Sequence, residues 1–361
     1  MAKKRLWVTA PYKDGDEDQV EGLVNASAAT PFDAARWRWI FKDSADTVHT
    51  EYAWHGDKLV GQYAVVPVPM RIDGRDTTWC ISLDTASHPD YRRQGMFTTL
   101  ARSLYERLPE EGVEVVFGLP NEQSSFGFYK RLDWVRVQPH LMCYQPGGLT
   151  SGMRNKLGAA APIANVLTKV AARARAPVEH LVGRAAMPHT FLRCTKYIPA
   201  GTDALCATTL KHPGIRIRYD AERLTWRYRM HPHFNYRFVS MVQGRTLIGL
   251  AVIRPPQQGT LVGNIMDVFL ADEDDMAAAT ALVSAAVGHL HQAGSTSISA
   301  LATPGSALHR AMRVLGFLAI VPKRENWTWS LGARVLGGNA VAGDVYDGKQ
   351  WRIGLGIHDQ L

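Results

Sequence analysis

Two strand-length runs rich in apolar and aromatic residues, Val48 to Trp54 and Leu59 to Val66, flank the polar tetrapeptide His55-Gly56-Asp57-Lys58. Gly56 can supply the positive φ of a tight turn, so the pattern predicts a β-hairpin. Pro67 and Pro69 cannot donate to a strand ladder and are expected to end its second strand. Upstream, Lys4 to Ala10 reads as a first strand, Gln19 to Asn25 as a helix with acids near its positive end, and Ala34 to Phe41 as a second helix. Downstream, Thr78 to Ser87 is extended and stops at His88-Pro89, where a basic, glycine-containing turn opens an amphipathic helix that reaches Leu108. Val113 to Leu119 is a mostly apolar run, the mark of a buried central strand, and Glu122 to Trp134 returns to helical spacing. Strands and helices alternate, which places the chain in the α/β class.

The second half repeats this order. Gln243 to Gly249 falls on His55 to Gly61, with Gly249 lying 188 residues after Gly61, and Trp226-Arg227-Tyr228 echoes Trp37-Arg38-Trp39 at 189. Asp267 falls on Asp84, and Leu315-Gly316-Phe317 on Leu132-Asp133-Trp134, both at 183. Offsets this consistent point to a duplicated unit. At 361 residues the chain is long enough for two domains of ordinary size. The expected division is 1–145, a basic helical linker over 146–200, and 201–361. Within the linker, Met153 to Ala174 reads as a helix with Leu157, Ile163, Leu167 and Val170 on one side. Arg154, Lys156, Lys169, Arg173, Arg175 and Arg184 stand there against Glu179 alone, so packing across both units and contact of 153–175 with an anionic membrane surface or a partner stay open.

Charge narrows the function classes without choosing one. A formal net charge of +8 suits nucleic acid, but equally an acidic cofactor or substrate; the basic residues are dispersed and no helix-turn-helix or ribonucleoprotein signature is present. Cys80, Cys143, Cys194 and Cys206 are widely spaced without a C-x-x-C pair, so neither a disulfide framework nor a metal site is expected. No apolar leader and no run of about 18 apolar residues appears, which sets a cytoplasmic protein as the expectation.

The candidate chemistry gathers at the turn after Ser87. Arg92, Arg93, Gln94, Gly95, Met96, Phe97 and Thr98 lie where free N–H groups at a helix N-terminus would face an anion, and Gly95 lets a phosphate approach the backbone. Neither the P-loop nor the dinucleotide-binding glycine pattern occurs in this stretch, which implies a nucleotide-containing cofactor other than ATP or NAD. Tyr91-Arg92-x-x-Gly95-x-Phe97 resembles the acetyl-CoA signature of the GNAT acyltransferase superfamily, with Phe97 where the family usually has Gly or Ala. Asn121, Ser124, Phe128, Tyr129 and Trp134 resemble the second signature of that family, with Asp133 in place of its usual Gly.

The resemblance implies two tandem GNAT-like acyl-CoA acyltransferase domains, each a mixed central sheet flanked by helices, with acetyl-CoA as co-substrate and no metal. It implies that Thr85, Ala86 and Ser87 offer backbone N–H to the thioester carbonyl, that Asn121 contacts the pantetheine arm beside Ser124 and Phe128, and that Tyr129 is the general acid. Asp84 is the candidate general base, the alternative being a carboxylate partnered in the core. Trp37 and Trp39 are candidates for lining the acceptor pocket, against an ordinary role in packing. In the second half Asp275, Ala278, Pro304 and Met312 stand at the positions of Arg92, Gly95, Asn121 and Tyr129, so that copy reads as degenerate. The expected activity is N-acetyl transfer to a primary amine of a small molecule, an amino sugar, nucleotide-linked sugar or aminoglycoside-like acceptor. A non-catalytic acyl-CoA-binding scaffold, or an acetyltransferase of protein lysines or amino acids, are the rival readings. The tail, Gln350 to Leu355, is expected to pair with the second sheet, with His358 and Asp359 in reach of a cleft.

Overall fold

The computed structural model describes residues 5–10, 15–27, 32–44, 47–139, 142–146, 161–257, 260–319, 331–337, 340 and 342–357. In chain order the elements of the first half are β1 (Val8–Ala10), α1 (Glu17–Ser27), α2 (Ala34–Phe41), β2 (His49–His55), β3 (Lys58–Ile72), β4 (Arg75–Ser87), α3 (Met96–Arg107), β5 (Val113–Gly118), α4 (Glu122–Arg131), β6 (Val135–Arg136) and β7 (Met142–Gln145). There follow α5 (Ala161–Ala186), β8 (Thr190–Thr195), α6 (Thr202–Thr209), β9 (Ile215–Ile217), α7 (Ala221–Leu224), β10 (Arg237–Gln243), β11 (Thr246–Arg254) and β12 (Val262–Leu270). The chain ends through α8 (Met276–Gln292), β13 (Ser297–Leu301), α9 (Ala307–Val314), β14 (Leu318–Ala319), β15 (Gly332–Val335), α10 (Ala342–Tyr346) and β16 (Trp351–Arg352).

These elements form two compact units that interleave along the sequence: Met1–Met70, Arg75–Val137 and Pro322–Asp347 make the first, and Arg71–Gly74, Gln138–Val321 and Gly348–Leu361 the second. The sheet of the first runs β1-β2-β3-β4-β5-β15-β6 and that of the second β14-β7-β13-β12-β11-β10-β8. Both are mixed. An antiparallel hairpin, β2–β3 or β10–β11, leads to a parallel pair, β4–β5 or β12–β13. In each sheet the strand beside that pair comes from the other half of the chain. β15 lies antiparallel to β5 with Gly332 opposite Gly118, and β7 lies antiparallel to β13 with Gln145 opposite Ile298. Gln145 is 1% exposed and donates through Nε2 to the carbonyl of Leu315 at 2.5 Å, which fixes β7 in the second unit.

The hairpin turns at His55 and Lys58 with Gly56 at φ 58°, as its sequence predicts. β3, however, runs through Pro67 and Pro69 to Ile72. β2 begins at His49 opposite Val65, so beyond that register it makes no demand on the missing N–H groups. In unit 1, Leu100, Leu104, Val116, Phe128 and Trp134 fill the core between α3, α4 and the sheet. In unit 2, Ala281, Leu282, Ala285 and Ala286 of α8 pack onto Val239, Ala251, Ile265 and Ile298. Each large apolar side chain removed from water in this way stabilises the fold by about 1.5–3 kcal/mol. The described part of the linker helix, α5, continues to Ala186, while 153–160 lie outside the described residues. The tail differs from expectation: β16 pairs in parallel with β9, Trp351 opposite Ile215, outside the seven-stranded sheet, and His358 and Asp359 lie outside the described residues. Among the described residues no helix is long and apolar enough to cross a membrane.

Candidate functional site

β4 and β5 pair in parallel only as far as Ile81 and Phe117, and β4 continues six residues further, from Ser82 to Ser87. That continuation carries Thr85, Ala86 and Ser87. Asp84 interrupts it with φ 47°, a left-handed conformation that kinks the strand. Two side chains hold the bend. Gln62 of β3, 1% exposed, donates from Nε2 to the carbonyl of Asp84 at 2.9 Å. Arg36 of α2 grips both carboxylate oxygens of Asp84, Nη1 lying 3.2 Å from Oδ1 and 3.1 Å from Oδ2. Asp84 is therefore partnered rather than free.

The turn that follows leaves backbone N–H groups open at a helix start. Arg93 and Gly95 have φ 64° and 77°, so left-handed residues at alternate positions curl the backbone into a concave nest. The first hydrogen bond of α3 is Thr99 N to Gly95 O, so the preceding N–H groups of the helix start are not consumed within it. Arg92 is pinned by its guanidinium, Nε to Ser87 O and Nη2 to Ser27 O, and Gln94 Oε1 accepts from Leu6 N. Thr98 Oγ1 donates back to Gly95 O at 2.9 Å. Met96 turns inward and packs over Gly61, where any Cβ would overlap its sulfur.

Phe97, the departure from the family pattern, does not obstruct the nest. Its ring leaves the turn for α4, where a Cβ on Gly127 would overlap it, and meets the rings of Phe128 and Tyr63 edge-on at 5.1 and 5.9 Å between centroids. Gly127 thus makes the room that the Phe97 ring occupies. On α4, Asn121 is the N-cap: its Oδ1 accepts from Ser124 N at 2.9 Å and from Ser124 Oγ at 3.0 Å. Tyr129 is largely buried, with the Arg136 guanidinium 4.1 Å from its ring centroid. Burial pushes its phenol up to about 12, against the opposing charge of Arg136. Its hydroxyl lies against β15, where a Cβ on Gly332 would fall 2.6 Å away. Trp37 and Trp39 are 8% and 3% exposed; Trp37 stacks on Phe41 at 5.4 Å and packs with Val20, Leu23, Tyr52 and Leu59.

Sequence reasoning missed Arg36, Gln62 and the buried tyrosine pair beneath the strand. Tyr63 and Tyr105 share a hydrogen bond of 2.5 Å, and Trp134 Nε1 donates to Tyr105 at 3.0 Å. Burial raises both phenols well above the usual tyrosine range. Nothing in the local pattern singles these residues out. Arg36 sits in an aromatic helix and Gln62 in an alternating strand, and only the fold brings them to Asp84.

In unit 2 the corresponding positions are filled from within. Asp275 caps α8, its Oδ1 accepting from Ala277 N and Ala278 N at 2.8 and 2.9 Å. Glu273 in the same turn is held by Arg216 at 2.5 Å. A phosphate would meet those carboxylates in place of free N–H groups, so these residues do not fit an acyl-CoA. Asp267, at the place of Asp84, is 4% exposed, accepts from the Tyr228 hydroxyl, and is pushed up to about 6, chiefly by burial. The tail backbone passes so close that a Cβ on Gly354 would overlap the carbonyl of Met266. Beside it lies a cavity of about 520 Å³, walled by Ile265, Val268, Leu301, Arg216 and Arg352. Among the described residues no group of three or more His, Cys, Asp or Glu is arranged to hold a metal ion.

Residues 9–137 match the sequence model of the acetyltransferase (GNAT) domain. No curated protein matches the chain in sequence. Among solved structures, a conserved protein of Enterococcus faecalis named a probable N-acyltransferase superposes with a TM-score of 0.61 at 11% identity, over 92% of this chain and 73% of that one. A GCN5-related N-acetyltransferase from Anabaena variabilis gives 0.61 at 9% identity, over 92% and 73%. A tandem GNAT protein from the clavulanic acid biosynthesis pathway gives 0.53 at 13% identity, over 92% of this chain and all of that one. Identities this low speak for the fold alone. Residues 9–137 thus carry the sequence pattern of the acetyltransferase (GNAT) domain, and the doubled mixed sheet around them has the fold of these N-acetyltransferase structures, the tandem one included.

Proposed function

We propose that unit 1 transfers an acetyl group from acetyl-CoA to a primary amine of a small molecule, and that unit 2 binds no acyl-CoA. The observation that carries the reading is the nest at Arg93 and Gly95, set at the N-terminus of α3 directly after a strand that has parted from its neighbour. Anions bind there through backbone N–H and helix dipole, with Arg92 and Arg93 adding charge. Acetyl-CoA supplies, when bound, a thioester carbonyl open to attack by an amine. The N–H groups of Thr85 to Ser87 on the unpaired stretch of β4 are the donors that would polarise that carbonyl, and Asn121 at the end of β5 would hold the pantetheine arm. Tyr129 keeps its proton at neutral pH and is the group to hand it to the departing sulfur.

The acceptor class we favour is an amino sugar, a nucleotide-linked sugar or an aminoglycoside-like amine; among these, a basic chain of net charge +8 suits the anionic nucleotide-linked sugar better than a polycationic aminoglycoside. Arg36 supports the nucleotide-linked sugar in particular. A phosphate on the acceptor would draw the guanidinium from Asp84, leaving that carboxylate to take the proton of the attacking amine. One observation favours a second reading, an acyl-CoA-binding scaffold. Asp84 is engaged by Arg36, and the Tyr129 hydroxyl rests against Gly332.

Calorimetric titration with acetyl-CoA, followed by mass spectrometry of an amine panel, separates the two. The enzyme reading predicts one site per chain, lost in Gly95→Val, and an acetylated product from one amine class. Binding with no acetylated amine would favour the scaffold; two sites per chain would contradict the assignment of unit 2.

A further inference from the structure

α5 has two faces, and among the described residues one packs against a neighbouring helix while the other is exposed. The inner face lies along α8: Ala176, Glu179 and Gly183 are buried, Gly183 approaches the carbonyl of Ala281, Ser284 Oγ donates to the carbonyl of Glu179, and His180 packs against His289. On the outer side Val166, Leu167, Val170, Val178 and Leu181 are 60, 63, 58, 57 and 64% exposed. At about 100° per residue, Leu167, Val170, Val178 and Leu181 fall within one arc of roughly 80°, with Ala174 and Ala185 between and beyond them. The result is an apolar stripe running most of the length of a 26-residue helix. Scattered exposed apolar residues need no explanation, but a continuous row on one element marks an interaction surface.

Charge decides what the stripe fits. The helix carries Lys169, Arg173, Arg175 and Arg184, and its one acid, Glu179, belongs to the buried inner face. By the same helical spacing, positions 173 and 184 flank the stripe on one side and position 175 on the other, about 75° to 105° from its centre. A second copy meeting this face with its own α5 would set basic positions against basic positions, with no acid on that helix outside its inner face. A surface of fixed anions over an apolar interior answers both features at once: the net positive charge of the helix is drawn to the headgroups while the stripe sinks to the acyl boundary.

We propose that the outer face of α5 docks on an anionic lipid bilayer, with the helix lying in the plane of the membrane. The contact is peripheral and reversible. It draws on both charge and apolar burial, so it weakens with salt and with loss of either.

The test is flotation of the full chain with vesicles of phosphatidylcholine, with and without phosphatidylglycerol, at low and high salt. The expected result is flotation with the anionic vesicles only, weakened at high salt. In the double variant Leu167→Glu, Leu181→Glu, binding should fall roughly tenfold or more. Both positions are on the solvent side, so the variant is expected to keep the melting temperature of the wild type. No flotation, equal binding to neutral vesicles, or a variant that binds like the wild type would each overturn the proposal. So would a wild-type dimer by light scattering that the variant converts to monomer, since the stripe would then be a self-interface.

Discussion

Phe97 and Gly127 are one feature written at two places in the sequence, since the ring occupies the space that any side chain at 127 would fill. Gly127→Ala should therefore destabilise unit 1 by about 1–3 kcal/mol, although alanine is the better helix former. Thermal unfolding checks this, and adding Phe97→Leu should recover most of the loss. Asp267 makes a prediction of opposite character, through protons. Its carboxyl titrates at about 6 in the fold against an ordinary 3.8. Between those values the folded chain keeps a proton that the unfolded chain has lost, so this group's contribution is complete below about pH 4, falls as the pH rises, and is gone above about pH 6. Melting temperatures of wild type and Asp267→Asn across that window should converge or cross as the pH climbs; curves that stay parallel would refute the assignment. The turn residues Arg92 to Thr98 were legible from sequence because a glycine before a helix carries its own conformational signal. Asp84 stands out in the sequence as a carboxylate in an apolar strand, but its partner Arg36 does not, for the pairing spans 48 residues and leaves no local trace.

At the scale of elements, the hairpin, β4, α3 and β5 follow from periodicity and turn chemistry, and the repeat offsets foretold that α8, β13 and α9 would follow the same order. The exchange of β7 and β15 did not show. Both are four residues long, and pairing between strands this far apart in sequence, Gln145 with Ile298 and Gly118 with Gly332, is decided by which sheet edge lies open, which no local pattern encodes. Pro67 and Pro69 misled for a related reason, since whether a missing N–H matters depends on the register of the neighbouring strand. The exchange has a consequence. Residues 1–145 alone would leave β5 and β6 without the strand that lies between them, so that fragment should fail to give a cooperative melt by circular dichroism, where the full chain does. A gentler probe is Gly332→Val. Its side chain would collide with Tyr129, and it should lower both the stability of unit 1 and its turnover, although position 332 is far along the chain from the motifs.

For the whole molecule, the two units differ at one helix start, where the first has left-handed residues Arg93 and Gly95 and the second is capped by its own carboxylate. The account rests on the first being a working acyltransferase. The direct measurement is release of CoA thiol from acetyl-CoA in the presence of an acetylatable amine, comparing wild type with Tyr129→Phe. The account predicts turnover by the wild type and a loss of about a hundredfold or more in kcat for the variant, with acetyl-CoA binding retained. Equal turnover in the two proteins would remove Tyr129 from the chemistry, and no turnover by a wild type that binds acetyl-CoA, across the amine panel, would contradict the enzyme itself.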